Sequence, residues 1–219
     1  MRPLWRAVVR DAAGGASAPI LHLPYAEEVS RHSALAMWVV ILTAAACATS
    51  PAASFDASGP CTVDGSAPGA YPELEAMVPP VFEDKPPDTL DSGRNCSVEA
   101  IGALGSADID EVRYAGGTWG FGGIRAAALA VFTAPGLTAD AMADFYTQSA
   151  QGANRTRVTG ETTSTIAGET VQRIDTVTGP RQQTVVVWPA SRPDTVNVVI
   201  TNDLPDLKIE AAVAAFDGD

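Results

Sequence analysis

The run Gly116-Gly117-Thr118-Trp119-Gly120-Phe121-Gly122-Gly123 holds the residue types best suited to ligand contact. Glycine lets a backbone approach a ligand closely, and Trp119 and Phe121 could stack on a sugar or an aromatic group. The run lacks the Gly-Lys-Ser/Thr ending of a phosphate loop and the strand–glycine–helix context of a dinucleotide site. The competing reading is a mobile connection between strands whose aromatic rings tuck into the core. Asp108-Ile109-Asp110-Glu111, and Glu83, Asp84, Asp88 and Asp91, offer oxygens to a hard cation. Neither group has the twelve-residue spacing, central glycine and final glutamate of a calcium loop, and capping of a turn or helix start is the simpler use. Paired carboxylates can hydrolyse glycosides when they stand about 5 or 9 Å apart across a cleft, a separation that sequence does not give.

Both histidines, His22 and His32, precede residue 47. Residues 47–219 therefore hold neither a Ser-His-Asp nor a Cys-His catalytic set, and they lack the commonest metal ligand. No Cys-x-x-Cys spacing occurs among Cys47, Cys61 and Cys96. We assign no catalytic residue, no metal ligand and no cofactor from the sequence.

An apolar segment runs over 34–46 and ends in Ile41-Leu42-Thr43-Ala44-Ala45-Ala46-Cys47. It is too short for a membrane-spanning helix, which needs about 20 residues, and has the length of a signal-peptide core. Arg31 and His32 before it supply a positive flank. A short hydrophobic segment, small residues and then cysteine resembles the signal of bacterial membrane-anchored lipoproteins. The resemblance covers the leader and its cleavage site, not the globular part. It implies export, cleavage before Cys47 and a lipid anchor on that cysteine, on the extracytoplasmic face of the cell membrane. Residues 1–28, with Gly14-Gly15 and the pair Glu27-Glu28, fit a leader poorly, and Val29 is a candidate true start. Two other readings stand beside this one. One is ordinary signal-peptidase cleavage after Ala44-Ala45-Ala46; the other is a non-exported chain with 34–46 as a core helix.

Lipid on Cys47 leaves an even pair, and Cys61 and Cys96 can then form a structural disulfide in an oxidising compartment. The alternative for these two thiols is redox or metal chemistry. Removing residues 1–46 takes away four arginines and three carboxylates, leaving ten basic and twenty-three acidic residues and a net charge near −13. That balance excludes nucleic acid and electrostatic docking on anionic lipid, which both call for basic patches.

The elements follow from pattern. Residues 47–70, mostly Ala, Ser, Pro and Gly, read as a flexible tether, and 71–219 as one globular domain. Helices are expected over 72–78, 98–104, 137–150 and 205–216. Thr138 is the cap of the third, and Leu137 staples against Met142. Strands are expected near 112–115, 124–133, 158–166, 170–177, 183–188 and 195–201, with 83–91 as loop. The continuous apolar run Val185-Val186-Val187-Trp188 suits a strand covered on both faces, whereas Val196, Val198 and Ile200 alternate with polar residues as in a half-buried strand. The fold class is α+β, an antiparallel β-meander with helices packed mainly on one face.

These features point to a non-catalytic lipoprotein that binds an envelope protein, a glycan or an amphiphile. The rival readings are a carboxylate-dependent hydrolase of envelope polymers and a carrier of lipid or small ligands. A third is a scaffold or assembly lipoprotein whose work is done by protein contacts alone. Mass spectrometry of protein extracted from membranes is expected to show lipid on Cys47. A peptide from residues 1–28 in a precursor blocked in processing would rule out the start at Val29.

Overall fold

The structure is a computed structural model that describes residues 55–218; Cys47, the leader over 1–46 and the first part of the expected tether lie outside the described residues. The architecture is α+β: one eight-stranded antiparallel sheet with short helices. In chain order the elements are β1 (Gly65–Ala67), α1 (Pro72–Glu75), β2 (Thr89–Asn95), α2 (Val98–Ile101, followed by a 3-10 turn Gly102–Ala107), β3 (Val112–Gly120) and β4 (Ala126–Thr133). Then come α3 (Ala139–Gly152), β5 (Thr156–Ile166), β6 (Glu169–Thr178), β7 (Arg181–Pro189), β8 (Thr195–Asn202) and α4 (Asp206–Ala214, ending in a 3-10 turn Ala215–Gly218).

The strand order is β1-β2-β3-β4-β8-β7-β6-β5. Two four-stranded meanders, β1–β4 and β5–β8, thus meet along an antiparallel seam between β4 and β8, with Ala126 opposite Asn202 and Thr133 opposite Thr195. Helix α3 carries the chain from the seam to the far edge, where β5 begins. Its start matches the sequence reading: the Thr138 side chain accepts a hydrogen bond from the Ala141 N–H, the usual N-cap contact.

Successive residues of a strand point to opposite faces, and β4 shows what each face meets. Ala128, Ala130 and Phe132 join a core cluster with Met142, Phe145 and Tyr146 of α3. Ala127, Leu129 and Val131 join a second cluster with Leu74 of α1 and Ile209, Ala212 and Val213 of α4. The helices are therefore divided between two faces, which corrects the expectation that they gather mainly on one. The reason lies in the seam strands. From Ala126 to Phe132 every residue of β4 is buried and apolar, so both faces need a cover. Strand β8 is buried from Thr195 to Thr201 and not half-buried; Thr195 bonds to Thr133 across the seam.

The expected tether is also corrected where it is described. Phe55 to Ala70 fold onto the domain, and β1 pairs with β2, Gly65 opposite Arg94 and Ala67 opposite Ser92. Strand β2 itself occupies residues expected in part as loop. Its sequence, Thr-Leu-Asp-Ser-Gly-Arg-Asn, has no apolar alternation, and its order comes from pairing with β3 along its whole length.

Leu129 is fully buried at the seam. Leu129→Ala is expected to destabilise the domain by about 2–5 kcal/mol through lost burial and the cavity left behind, read as a lowered denaturant midpoint with an unchanged slope.

Candidate functional site

The glycine-rich run is strand over most of its length. Gly116 to Gly120 belong to β3, and Trp119 has 0% of its surface exposed. Its indole N–H donates to the Lys85 carbonyl at 3.0 Å, and its ring meets Phe82 edge-on at 5.8 Å between centroids. Gly117 explains the spacing. A Cβ at that position would stand 2.7 Å from the Trp119 ring, a distance no real side chain occupies, so the glycine makes room for the indole on its own strand. Phe121 is half-buried, edge-on to Phe82, with the Lys85 ammonium 5.3 Å from its ring centre. Both aromatic candidates therefore pack into the second core cluster.

Four of the acidic candidates make structural contacts, and Asp84, Asp108 and Asp110 are exposed. Asp88 accepts from the Gly120 N–H and pairs with Lys85, and the Gly120 bond holds its carboxyl below the ordinary value. Glu83 pairs with Lys208, Glu111 with Arg113, and Asp91 accepts from Ser66. Among the described residues no three His, Cys, Asp or Glu side chains gather where they could hold a metal ion.

Cys61 and Cys96 form the expected disulfide, with an S–S distance of 2.09 Å and Cα atoms 6.1 Å apart. Asp64 sits beside the bridge and accepts from the backbone N–H groups of Cys96 and Ser97 at 2.8 and 2.9 Å and from the Ser97 hydroxyl. Ser97 in turn caps α2 through the Ala100 N–H. Burial pushes the Asp64 carboxyl up, but the three hydrogen bonds outweigh it and hold the group below its ordinary value of 3.8.

The feature that sequence reasoning missed is a polar cleft of about 560 Å³ at the opposite end of the sheet. One row of paired residues crosses it on the face that α4 covers: Asp175, Thr184 and Thr201, followed by Ala127 of the second core cluster. Arg173 stands two residues before Asp175 on the same face of β6. Its Nε donates to both Asp175 oxygens at 3.1 and 2.9 Å, and its terminal nitrogen lies 2.9 Å from Asp206 at the start of α4. These bonds, that to Asp175 first, keep the guanidinium firmly charged. Thr184 donates to Asp175 at 2.6 Å. Gly160 lies opposite Asp175 on β5, next to a β-bulge, so no side chain fills the cleft from that position.

Asp203 lines the same cleft. Its backbone exchanges with β7, donating to the Gln182 carbonyl, while one carboxylate oxygen accepts from the Gln182 N–H at 2.9 Å. The other oxygen is enclosed and has no hydrogen-bond partner. An enclosed oxygen without a donor costs about 1–3 kcal/mol. The cleft thus offers hydroxyls, amides and three carboxylates against one guanidinium. Nothing in the sequence marks it, because its charged residues are spread over β6 and the β8–α4 connection and look like a solvated face.

No family model matches the chain, and no curated protein matches it either.

The Asp64 linkage carries a sign. A carboxylate whose folded value is depressed stabilises the fold above its unfolded value, and that contribution is lost as pH falls through the folded value. Asp64→Ala is therefore expected to cost about 1 kcal/mol at neutral pH, the scale of a lost helix-cap bond. The cost should fade in acid well below 3.8, read from urea midpoints of wild type and variant at both pH values.

Proposed function

We propose that this protein is an exported, lipid-anchored binding domain of the cell envelope, without catalytic activity, and that its polar cleft holds a hydroxyl-rich ligand, a glycan. The anchor rests on the resemblance around Cys47, and the Cys61–Cys96 bridge suits an oxidising compartment. The observation that carries the ligand class is the lining of the cleft, rich in hydroxyls, amides and carboxylates. It calls for a ligand that donates hydrogen bonds. The excess of carboxylates over cations disfavours an anionic one.

Two features speak for binding over hydrolysis. Asp175 and Asp206 are both engaged by Arg173, so neither stands as a free acid or base across a gap. The carboxyls with a marked perturbation, Asp56, Asp64 and Asp88, are lowered and lie outside the cleft; a general acid needs a raised value. The polar lining likewise speaks against a lipid carrier, whose pocket would be apolar.

A protein partner is the second reading, favoured by three exposed apolar side chains near the cleft end: Val81, Ile124 and Leu207. Ile124 lies in the β3–β4 turn, Leu207 in the first turn of α4, and Val81 beside Phe82 in a loop that the Glu83–Lys208 pair ties to α4.

Titration of isotope-labelled protein with soluble fragments of envelope polysaccharide is expected to shift the amide signals of Asp175, Thr184 and Asp203. Asp175→Asn should weaken binding roughly 10–100-fold, the scale of one hydrogen bond to a charged group, while Leu207→Ser leaves it unchanged. Unmoved cleft signals with every fragment would rule out the glycan.

A further inference from the structure

The folded domain begins much closer to Cys47 than composition suggests. Phe55 is eight residues beyond Cys47, and the chain from Phe55 onward is already fixed to the domain. Arg94 donates to the carbonyls of Asp56, Gly59 and Pro60 at 2.9, 2.6 and 3.2 Å, and Cys61 is bonded to Cys96. Eight residues reach at most roughly 29 Å when fully extended. A lipid on Cys47 therefore keeps Phe55 within roughly 29 Å of the bilayer surface.

The disulfide end has a distinct surface. Asn95, Val112, Thr133, Thr195 and Pro189 mark one end of the sheet, where β2, β3, β4, β8 and β7 come into register. The disulfide lies there, and beside its two cysteines stand Val63 and Val98, with 71% and 90% of their surfaces exposed. They are two of the five large apolar side chains exposed among the described residues. The Asp64 bonds to Cys96 and Ser97 hold the segments carrying both valines side by side. The cleft row of Asp175, Thr184 and Thr201 lies seven positions further along the strands and several strands across. At ideal sheet spacings the separation is roughly 30 Å.

We infer that the disulfide end, with Val63 and Val98 outward, is a standing surface that rests on the bilayer holding the lipid anchor, so that the cleft opens away from the membrane. This rests on the anchored reading of Cys47. Apolar side chains at a membrane surface bury area in the interfacial region. The neighbouring Asp64 and Glu99 give the surface no attraction for anionic headgroups, and the occupant is therefore a zwitterionic lipid surface.

The test uses the protein as extracted from membranes, placed in phosphatidylcholine vesicles, with a diazirine amino acid replacing Val98 in one preparation and Leu207 in another. Both positions are exposed, so neither replacement disturbs the core. Irradiation is expected to give several-fold more lipid adduct from position 98 than from position 207. The mass of each sample reads the lipid on Cys47 separately. Equal adduct from both positions in lipidated protein overturns the standing surface and leaves the anchor intact. A mass without lipid on Cys47 overturns the anchor and the standing surface together.

Discussion

Arg94 brings its guanidinium into a site where 4% of its surface is exposed. Water cannot solvate a guanidinium there, and leaving it bare would cost several kcal/mol. Three backbone carbonyls from Asp56 to Pro60 take the place of water, with Phe55 against the cation and Glu111 at 4.0 Å. The dependence runs both ways. The segment from Phe55 to Asp64 has no helix or strand of its own, and the buried cation gives its carbonyls a partner. Once that segment is in place, Cys61 meets Cys96, β1 reaches β2, and Tyr71 and Leu74 close over the sheet. Gly93 marks how tightly this fits, since a Cβ there would stand 2.2 Å from the Gly65 carbonyl oxygen.

The second organising fact is the change in character along the face that α4 covers. In mid-sheet that face is Val171, Val186 and Val199, all fully buried. One step along the strands it turns polar, with Arg173 on β6 and then Asp175, Thr184 and Thr201. Helix α4 begins at Asp206 above this boundary, so its first turn forms a wall of the cleft and its later turns the lid of the core. Site and core are parts of one surface, divided by where the helix starts.

The parts of this fold that could be read from sequence are those whose cause is local. Helix α3 has a cap, a staple and a periodic face within fifteen residues. Strands β5 to β8 have turn signals between them, including Ala167-Gly168 with both residues at positive φ. The disulfide followed from counting. The parts that could not be read depend on distant partners. Strand β2 is polar and takes its order from β1 and β3. The glycines of β3 look like loop residues until the Trp119 ring is seen lying over Gly117. The segment 55–64 has the composition of a tether, and what fixes it is one arginine more than thirty residues away. The cleft was hidden for the same reason: Asp206 meets Arg173 and Asp203 meets Gln182 at no fixed spacing in the chain.

The seam between β4 and β8 also sets an order of events. Strand β4 is apolar on both faces, and its open edge pairs with β8, Thr133 with Thr195. Until β8 arrives, the first meander ends in a bare strand edge flanked by apolar surface, the kind of edge that recruits other chains. Contacts so distant in sequence form late. A ribosome or translocon that delivers this chain from its N-terminus therefore presents that edge for as long as the second meander takes to emerge. The period of greatest exposure to misassembly is the synthesis of residues 134–202, and it ends when the two halves join.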